Sequence, residues 1–213
     1  RVWDEFVSHP VHENAPALHG LVCNAGSMSN EYTTTLEGVE TTFATHLLFG
    51  SYLLTSLAVP TLRSTPDSRV VLVSSGGMYN TKFPSWDIAT SLSGAYSGQM
   101  VYAYCKRAQV LLAEQWSQQY PEIRFVSCHP GWVETPGLNA AYGTGKRFFE
   151  PLRTRYQGAE GIIWLLLTPV DTLEGGAFYL DRSPCVKHIA GPFFSEGSFT
   201  KNSAEEVADM MSN

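Results

Sequence analysis

The chain has 213 residues, of which 44% are apolar and only 16% charged, and its formal net charge is −6 at pH 7. Because an average globular domain has about 25% charged residues, this composition predicts a single, well-buried domain over residues 1–213. The acidic balance argues against nucleic acid as a partner, and the lack of both an apolar run of roughly 18 residues and a signal peptide predicts a cytoplasmic protein without a transmembrane segment.

Strand-like and helix-like patterns alternate along the chain. Strands are predicted where short apolar runs end in small or polar residues, and helices where apolar residues recur at three-and-four spacing. In chain order the pattern predicts a helix at 1–9, a strand at 18–26, a helix at 36–64, a strand at 68–77, an irregular stretch at 79–97, a helix at 98–119, a strand at 123–131, a loop at 136–155, a helix at 157–167 and a strand at 176–181. The polar segment after Pro184 is expected to be loosely organised, with a short helix within 203–211.

This alternation of uniformly apolar strands with helices predicts the α/β fold class, as a three-layer Rossmann-like parallel sheet with helices on both faces. Ligands of such sheets bind beyond the carboxyl ends of the strands. Three predicted strands end in polar, glycine-containing turns, at residues 24–26, 74–77 and 129–131. We therefore expect a functional site where these three turns meet.

Four cysteines are scattered along the sequence, without a Cys-x-x-Cys pair or a histidine at zinc-ligand spacing: Cys23, Cys105, Cys128 and Cys185. This spacing predicts reduced core thiols, and neither a disulfide nor a metal site.

The helix at 98–119 holds a candidate for proton transfer. Tyr102 and Lys106 are four residues apart and share a helix face, whereas Tyr104 has Ala108 at the matching position. The pKa of a free phenol, near 10, is too high for efficient proton exchange at neutral pH, and a nearby ammonium group lowers it. Tyr102 is therefore a candidate general acid/base with Lys106 as its partner, and Ser75 could donate a hydrogen bond to a reacting carbonyl oxygen.

Four motifs in this order resemble the short-chain dehydrogenase/reductase family: NAG at 24–26, VSS at 73–75, YxxxK at 102–106 and PGxxxT at 130–135. The resemblance implies an NAD- or NADP-dependent oxidoreductase that interconverts an alcohol and a carbonyl compound with Ser75, Tyr102 and Lys106. It further implies that the cofactor is contacted by Asn24, Ala25, Gly26, Tyr102, Lys106, Pro130, Gly131, Val133 and Thr135.

Two features depart from the family pattern. The asparagine of the family's catalytic tetrad is replaced by His46, or by Leu47 if a one-residue insertion has shifted the register, and a π-bulge could absorb such an insertion. His46 is then either a part of a proton relay or a packing or solvent-facing histidine. The family's glycine-rich phosphate loop is not in the sequence, and neither are the strands that select NAD or NADP. The chain is therefore expected to be the C-terminal two-thirds of a family domain.

Residues 136–155 match the family's substrate lid. Their aromatic residues Tyr142, Phe148 and Phe149 suit a lipophilic alcohol, ketone or aldehyde as substrate. The resemblance also implies a possible homodimer, formed through the helix that bears Tyr102 and the long helix before it. The alternative to an oxidoreductase is a truncated, catalytically silent Rossmann-like protein that acts through protein contacts.

Overall fold

The computed structural model describes residues 2–9, 17–91, 95–189 and 199–212. Its strands form one five-stranded sheet in the order β1-β2-β3-β4-β5. The first four strands run parallel, and β5 is antiparallel to β4. The strands are β1 (Gly20–Cys23), β2 (Arg69–Val73), β3 (Arg124–Cys128), β4 (Phe178–Leu180) and β5 (Ser183–Cys185).

Strand β5 is the one departure from the predicted parallel sheet. Its sequence, Ser-Pro-Cys, has no apolar run that would identify a strand. The strand forms because Asp181 and Arg182 both have positive φ angles, of 51° and 65°. Two consecutive residues of this kind make the tight hairpin turn that matches the twist of antiparallel strands. The sheet is therefore mixed at this edge.

The described helices are α1 (Val2–Val7), α2 (Thr41–Phe43), a π-helical segment (Ala44–Leu53), α3 (Leu54–Ser64), α4 (Trp86–Ala89), α5 (Gly98–Gln119), α6 (Pro136–Tyr142), α7 (Arg155–Leu167) and α8 (Ala204–Ser212). Short 3₁₀ helices lie at Gly76–Asn80, Gly143–Phe149 and Val170–Thr172. The predicted helices at 98–119 and 157–167 agree with α5 and α7, and the short C-terminal helix with α8.

The helix predicted from residue 36 begins at Thr41 instead. Glu40 ends the preceding turn and caps the helix, since its carboxylate accepts hydrogen bonds from the backbone N–H groups of Thr42 (2.9 Å) and Phe43 (2.6 Å). The capping carboxylate also accepts a hydrogen bond from the Tyr96 hydroxyl (3.0 Å) and is buried. Glutamate is not a usual N-cap residue, so the sequence pattern alone does not place this start.

A π-helical segment joins α2 and α3, in the part of the helix where a π-bulge was considered. The segment runs over ten residues, Ala44–Leu53, and is longer than a single bulge. Gly50 is required within it, because a Cβ atom at this position would overlap the carbonyl oxygen of Thr45. The hydroxyl of Ser51 donates a hydrogen bond to the carbonyl oxygen of His46 (2.6 Å). This hydrogen bond stabilises the wider turns of the π-helical segment.

The continuous helix Thr41–Ser64 is long and apolar enough to cross a membrane by length and composition. This qualifies the expectation that no such segment is present. Half of the most apolar 18-residue stretch of this helix is buried inside the protein, as in the core helix of many soluble proteins. The helix is therefore weak evidence for a membrane span.

Alternate residues of the strands point to opposite faces of the sheet. Val70 and Leu72 pack in the larger core with residues of α3 and α5, whereas Val71 and Val73 pack with Leu165 of α7. Both faces are therefore covered, and the three-layer α/β prediction is confirmed. Strands β2 and β3 are largely apolar because both of their faces are buried.

The segment predicted as a loop at 136–155 is largely helical, with α6 followed by the 3₁₀ helix Gly143–Phe149. Helix α6 begins with a common start signal: the Thr135 hydroxyl accepts a hydrogen bond from the backbone N–H of Leu138 (3.2 Å), and a proline follows the cap. The basic and aromatic composition of the segment obscures this signal.

Candidate active site

The ends of the first three strands meet at one edge of the sheet. Cys23 of β1 is in register with Leu72 of β2, and Val73 of β2 is in register with Cys128 of β3. The turns that follow these strands, 24–26, 74–77 and 129–131, therefore lie side by side. This is the arrangement that the sequence predicts for a functional site.

Helix α5 brings Lys106 to this edge, below Tyr102. The ammonium nitrogen lies 5.3 Å from the centre of the Tyr102 ring, and it donates hydrogen bonds to the carbonyl oxygen of Val73 (2.8 Å) and to Oε1 of Gln109 (3.1 Å). Only 3% of Lys106 is exposed, and burial lowers the pKa of its ammonium group to about 8. The group is thus still mainly charged at neutral pH.

Ser75 lies at the end of β2, where its hydroxyl accepts a hydrogen bond from the backbone N–H of Gly77 (3.2 Å). Gly77 lies between Ser75 and Tyr102, since a Cβ atom built on it would be 3.4 Å from the Tyr102 ring and 3.7 Å from the Ser75 hydroxyl oxygen. The two side chains therefore flank the same glycine. The bond to Gly77 uses a lone pair of the hydroxyl oxygen, so its proton can be donated to a ligand.

Ser74, next in sequence, points the other way. Its hydroxyl donates a hydrogen bond to the backbone carbonyl of Lys106 (2.7 Å) and is buried. Ser74 thus has a structural role, since it joins β2 to α5. Ser75 is the serine of this pair that belongs to the candidate site.

The structure places His46, and not Leu47, beside Tyr102. The two rings meet edge to face at a centroid distance of 5.1 Å, and Nε2 of His46 lies 3.1 Å from the carbonyl oxygen of Ser27. His46 is 4% exposed, and its Nδ1 has no hydrogen-bond partner among the described residues. Burial and the nearby Lys106 ammonium group hold the pKa of His46 well below its usual value. A neutral imidazole packs against the tyrosine but does not readily take up a relayed proton.

The turn at Asn24, Ala25 and Gly26 is exposed at this edge, next to His46. A Cβ atom on Gly26 would overlap the imidazole ring of His46. The glycine is therefore explained by close approach of the histidine, while the exposed surface of the turn is open to a ligand.

The loop after β3 carries the remaining predicted cofactor contacts. Gly131 has a φ angle of 79°, which favours glycine, and a Cβ atom there would overlap the guanidinium group of Arg153. Val133 forms a β-bridge with Arg153 and packs against Gly158 of α7. Thr135 caps α6, as described above. Pro130 accepts a hydrogen bond from Arg153 through its carbonyl oxygen (3.3 Å).

Arg153 was not predicted as a site residue. Its guanidinium group forms a two-pronged ion pair with the carboxylate of Asp181, with N–O distances of 2.6 and 2.7 Å. The hydrogen bonds with Asp181 raise the pKa of Arg153 and lower that of Asp181. The pair fixes the loop after β3 to the hairpin turn of β4 and β5. No local signal could reveal it, because the partners are 28 residues apart.

His129, the first residue of the turn after β3, is a second histidine at this edge of the sheet. Its Nδ1 is buried without a hydrogen-bond partner in the described part of the chain. Burial and the nearby Arg153 lower the pKa of His129 to about 4, so the imidazole is neutral at neutral pH. The ring lies against Gly76 on one side and meets Trp132 edge to face, at 6.3 Å, on another.

Trp132 and Phe149 connect the loop after β3 to the predicted lid. Their rings are stacked, with centroids 3.8 Å apart and planes inclined by 13°. This apolar contact places the end of the lid segment directly over the loop. The side chains of Tyr142 and Phe148, also predicted to line the lid, lie outside the described part of the structure.

The chain is similar to several known proteins. The model of the NAD dependent epimerase/dehydratase family matches residues 19–170. The chain is similar to dehydrogenase/reductase SDR family member 12 of Bos taurus, with 42% identity over 88% of this chain and 58% of that protein. It is also similar to retinol dehydrogenase 14 of Mus musculus, with 28% identity over 86% of this chain and 52% of that protein.

Among solved structures, the angucycline C-6 ketoreductase LanV with bound NADP is similar with a TM-score of 0.61 at 19% sequence identity, over 83% of this chain and 66% of that chain. This similarity concerns the fold. The chain spans somewhat more than half of the length of the two curated relatives.

Proposed function

Because the chain belongs to the short-chain dehydrogenase/reductase family, which the motifs at 24–26, 73–75, 102–106 and 130–135 predicted, we propose that it is the catalytic part of an NAD(P)-dependent oxidoreductase. The reaction interconverts an alcohol and a carbonyl compound. One observation carries the proposal: a buried, charged lysine, a tyrosine above it and a serine across one glycine meet at the carboxyl edge of the parallel strands.

Each of these side chains has a role in moving or holding a proton. In the reducing direction, the Tyr102 hydroxyl gives its proton to the substrate oxygen as negative charge develops there. The Lys106 ammonium group stabilises the resulting phenolate, and the Ser75 hydroxyl donates a hydrogen bond to the same substrate oxygen. Oxidation of the alcohol follows the reverse path. A bound nicotinamide would supply or accept the hydride.

The residues at the nicotinamide end fit such a cofactor. Lys106 has three N–H donors, and Val73 and Gln109 accept two of them, so one remains for a ribose hydroxyl. The exposed turn at 24–26 and the loop at 130–135 flank this position. The 213 residues contain no glycine-rich loop for the pyrophosphate. NADP in the LanV structure and the NAD of the family model leave both nucleotides as candidates.

A lipophilic alcohol, ketone or aldehyde is the proposed substrate class. The names of the relatives, a retinol dehydrogenase and an angucycline ketoreductase, support bulky apolar substrates. The stacked Trp132 and Phe149 rings supply an apolar surface beside the site. Apolar contacts of this kind dominate the lining of small-molecule sites.

A homodimer is proposed through the π segment and α3. Three large apolar side chains on this helix are exposed, Tyr52 at 43%, Leu53 at 43% and Leu57 at 44%. Exposed apolar side chains that are close together often mark a protein interface. Analytical ultracentrifugation of the wild type and of Leu57→Glu tests this pairing, and a monomeric wild type contradicts it.

A catalytically silent protein is the second candidate. It is favoured by the lack of a glycine-rich loop within the chain. Titration with NADH and NADPH, followed by energy transfer from tryptophan, separates the two candidates for this chain. Saturable binding supports the oxidoreductase, whereas no binding supports the silent alternative for these 213 residues.

The catalytic assignment requires a form that reduces a carbonyl compound, such as the chain extended at its N-terminus by the phosphate-binding part of a relative. In that form, Tyr102→Phe is expected to lower kcat at least about 100-fold, because general acid catalysis contributes that much. Tyr104→Phe, two residues away on α5, is the matched control and should retain activity. Equal activity of both variants would reject Tyr102 as the acid.

A further inference from the structure

We propose that Gln109 is the positioning residue of this site: it holds the ammonium group of Lys106 beneath Tyr102 by linking it to the main chain of the π segment. The inference rests on the proposed function for its catalytic meaning, but the contacts themselves do not depend on it. Gln109 lies one helical turn after Lys106 and is 1% exposed.

The Gln109 amide is bonded at both ends. Its Oε1 accepts the hydrogen bond from Lys106 Nζ (3.1 Å), and its Nε2 donates to the hydroxyl oxygen of Ser51 (2.8 Å) and to the carbonyl oxygen of His46 (3.2 Å). Rotating the amide by 180° would bring its N–H groups against the ammonium group, donor against donor. The network therefore permits one orientation of the amide.

A second hydrogen bond fixes the ammonium group to the sheet. Lys106 Nζ donates to the carbonyl oxygen of Val73, the last residue of β2. The group is thus fixed between a strand end and an amide anchored on the π segment. Nε2 of Gln109 and the hydroxyl of Ser51 both donate hydrogen bonds to the carbonyl oxygen of His46. The position of the Gln109 amide therefore depends on the π-helical conformation of that segment.

Both hydrogen-bond acceptors of Lys106 are neutral, so neither of them compensates the charge of the ammonium group. This group lies 5.3 Å from the centre of the Tyr102 ring. Burial raises the pKa values of the neighbouring thiols, to about 11 for Cys23 and about 12 for Cys128, and lowers that of the imidazole. The titratable groups that face the ammonium group are Tyr102 and Cys105 on α5, Cys23 at the end of β1, Cys128 at the end of β3 and His46 in the π segment. Burial is therefore the largest influence on the pKa of Lys106, and the Gln109 amide is the neutral side-chain acceptor that contacts its ammonium group.

The test compares Gln109→Met and Gln109→Glu in the chain itself, without cofactor. The sequence has five lysines, so the Nζ and Cε signals of ¹³C,¹⁵N-lysine-labelled protein can be followed through a pH titration, with Lys106→Met to assign the signal of interest. Gln109→Met removes an acceptor and is expected to lower the pKa of Lys106. Gln109→Glu brings a carboxylate into contact and is expected to raise that pKa by about 1 or more. Gln118→Met, on the exposed side of α5, is the matched control and should leave it unchanged.

The inference is overturned if the pKa of Lys106 stays at the wild-type value in both folded variants, with folding checked by circular dichroism. Opposite shifts in the two variants support it, because a side chain that only fills space would not distinguish an acceptor from a carboxylate. If these shifts occur and the extended form still reduces no carbonyl compound, the proposed function fails while the positioning role stands. If the extended form is active and the shifts are absent, the positioning role alone fails.

Discussion

Replacing Lys106 with methionine is expected to change the stability of the chain in a way that depends on pH. The buried ammonium group has a pKa of about 8 in the folded chain, against 10.5 for a free lysine side chain. Between these two pH values the unfolded chain binds more protons at this residue than the folded chain does. The charge of Lys106 therefore opposes folding below pH 8, and this cost is lost as the pH rises toward 10.5.

The size of the effect follows from the two pKa values. Each pKa unit corresponds to about 1.4 kcal/mol, so keeping Lys106 charged costs about 3 kcal/mol of unfolding free energy at pH 7. The same relation gives a cost of about 2 kcal/mol at pH 9 and about 1 kcal/mol at pH 10. Lys106→Met removes the charge, and it also leaves Val73 and Gln109 without their donor, but that loss hardly varies with pH.

Urea unfolding of wild type and Lys106→Met at pH 7, 8, 9 and 10 measures this difference. The free energy of unfolding of the variant, minus that of the wild type, should fall by about 2.5 kcal/mol between pH 7 and pH 10. Lys201→Met, at an exposed position, is the matched control and should give a difference that does not vary with pH. A flat difference for Lys106→Met would show that burial does not disfavour its charge, which would refute the reasoning.

Three further contacts around the site are tested by substitution. Gly26→Ala should destabilise the chain by about 1–3 kcal/mol, since the new methyl group overlaps the His46 ring, and His46→Ala in the same chain should restore most of this loss. Gly158→Ala should destabilise the folded chain, because the new methyl group overlaps Val133 in the loop after β3. The matched control is Gly161→Ala, which lies in open space on the same helix and should stabilise the chain by about 0.5–1 kcal/mol. Asp181→Asn should reduce amide-exchange protection at residue 134 but change stability by less than about 1 kcal/mol, because the ion pair is partly exposed.

Thermal unfolding measures the glycine variants, and hydrogen exchange followed by mass spectrometry measures the ion-pair variant. The contact between Gly26 and His46 is refuted if the double variant is no more stable than Gly26→Ala. The close approach of α7 and the loop is refuted if both α7 glycines accept alanine equally well. Unchanged exchange in Asp181→Asn would mean that the ion pair does not hold the loop.

The general architecture could be predicted because it depends on local patterns. Apolar runs and three-and-four spacing gave the strands and the long helices, since strands buried on both faces need uniformly apolar residues. The pairing of Tyr102 with Lys106 followed from helix geometry alone. The elements that were missed lack such a pattern: β5 depends on a turn with two positive φ angles, and the start at Thr41 depends on a buried glutamate cap.

The sequence by itself determines the features that involve neighbours along one element. These are the alternation of apolar segments, the glycine and serine residues at the strand ends, and the spacing of Tyr102 and Lys106. The contacts that join separate elements around the site were decided by tertiary structure alone. Gln109 reaches His46 across 63 residues, and Arg153 reaches Asp181 across 28. Such pairs form only after the sheet has brought separate helices and loops to one edge, so no local periodicity records them.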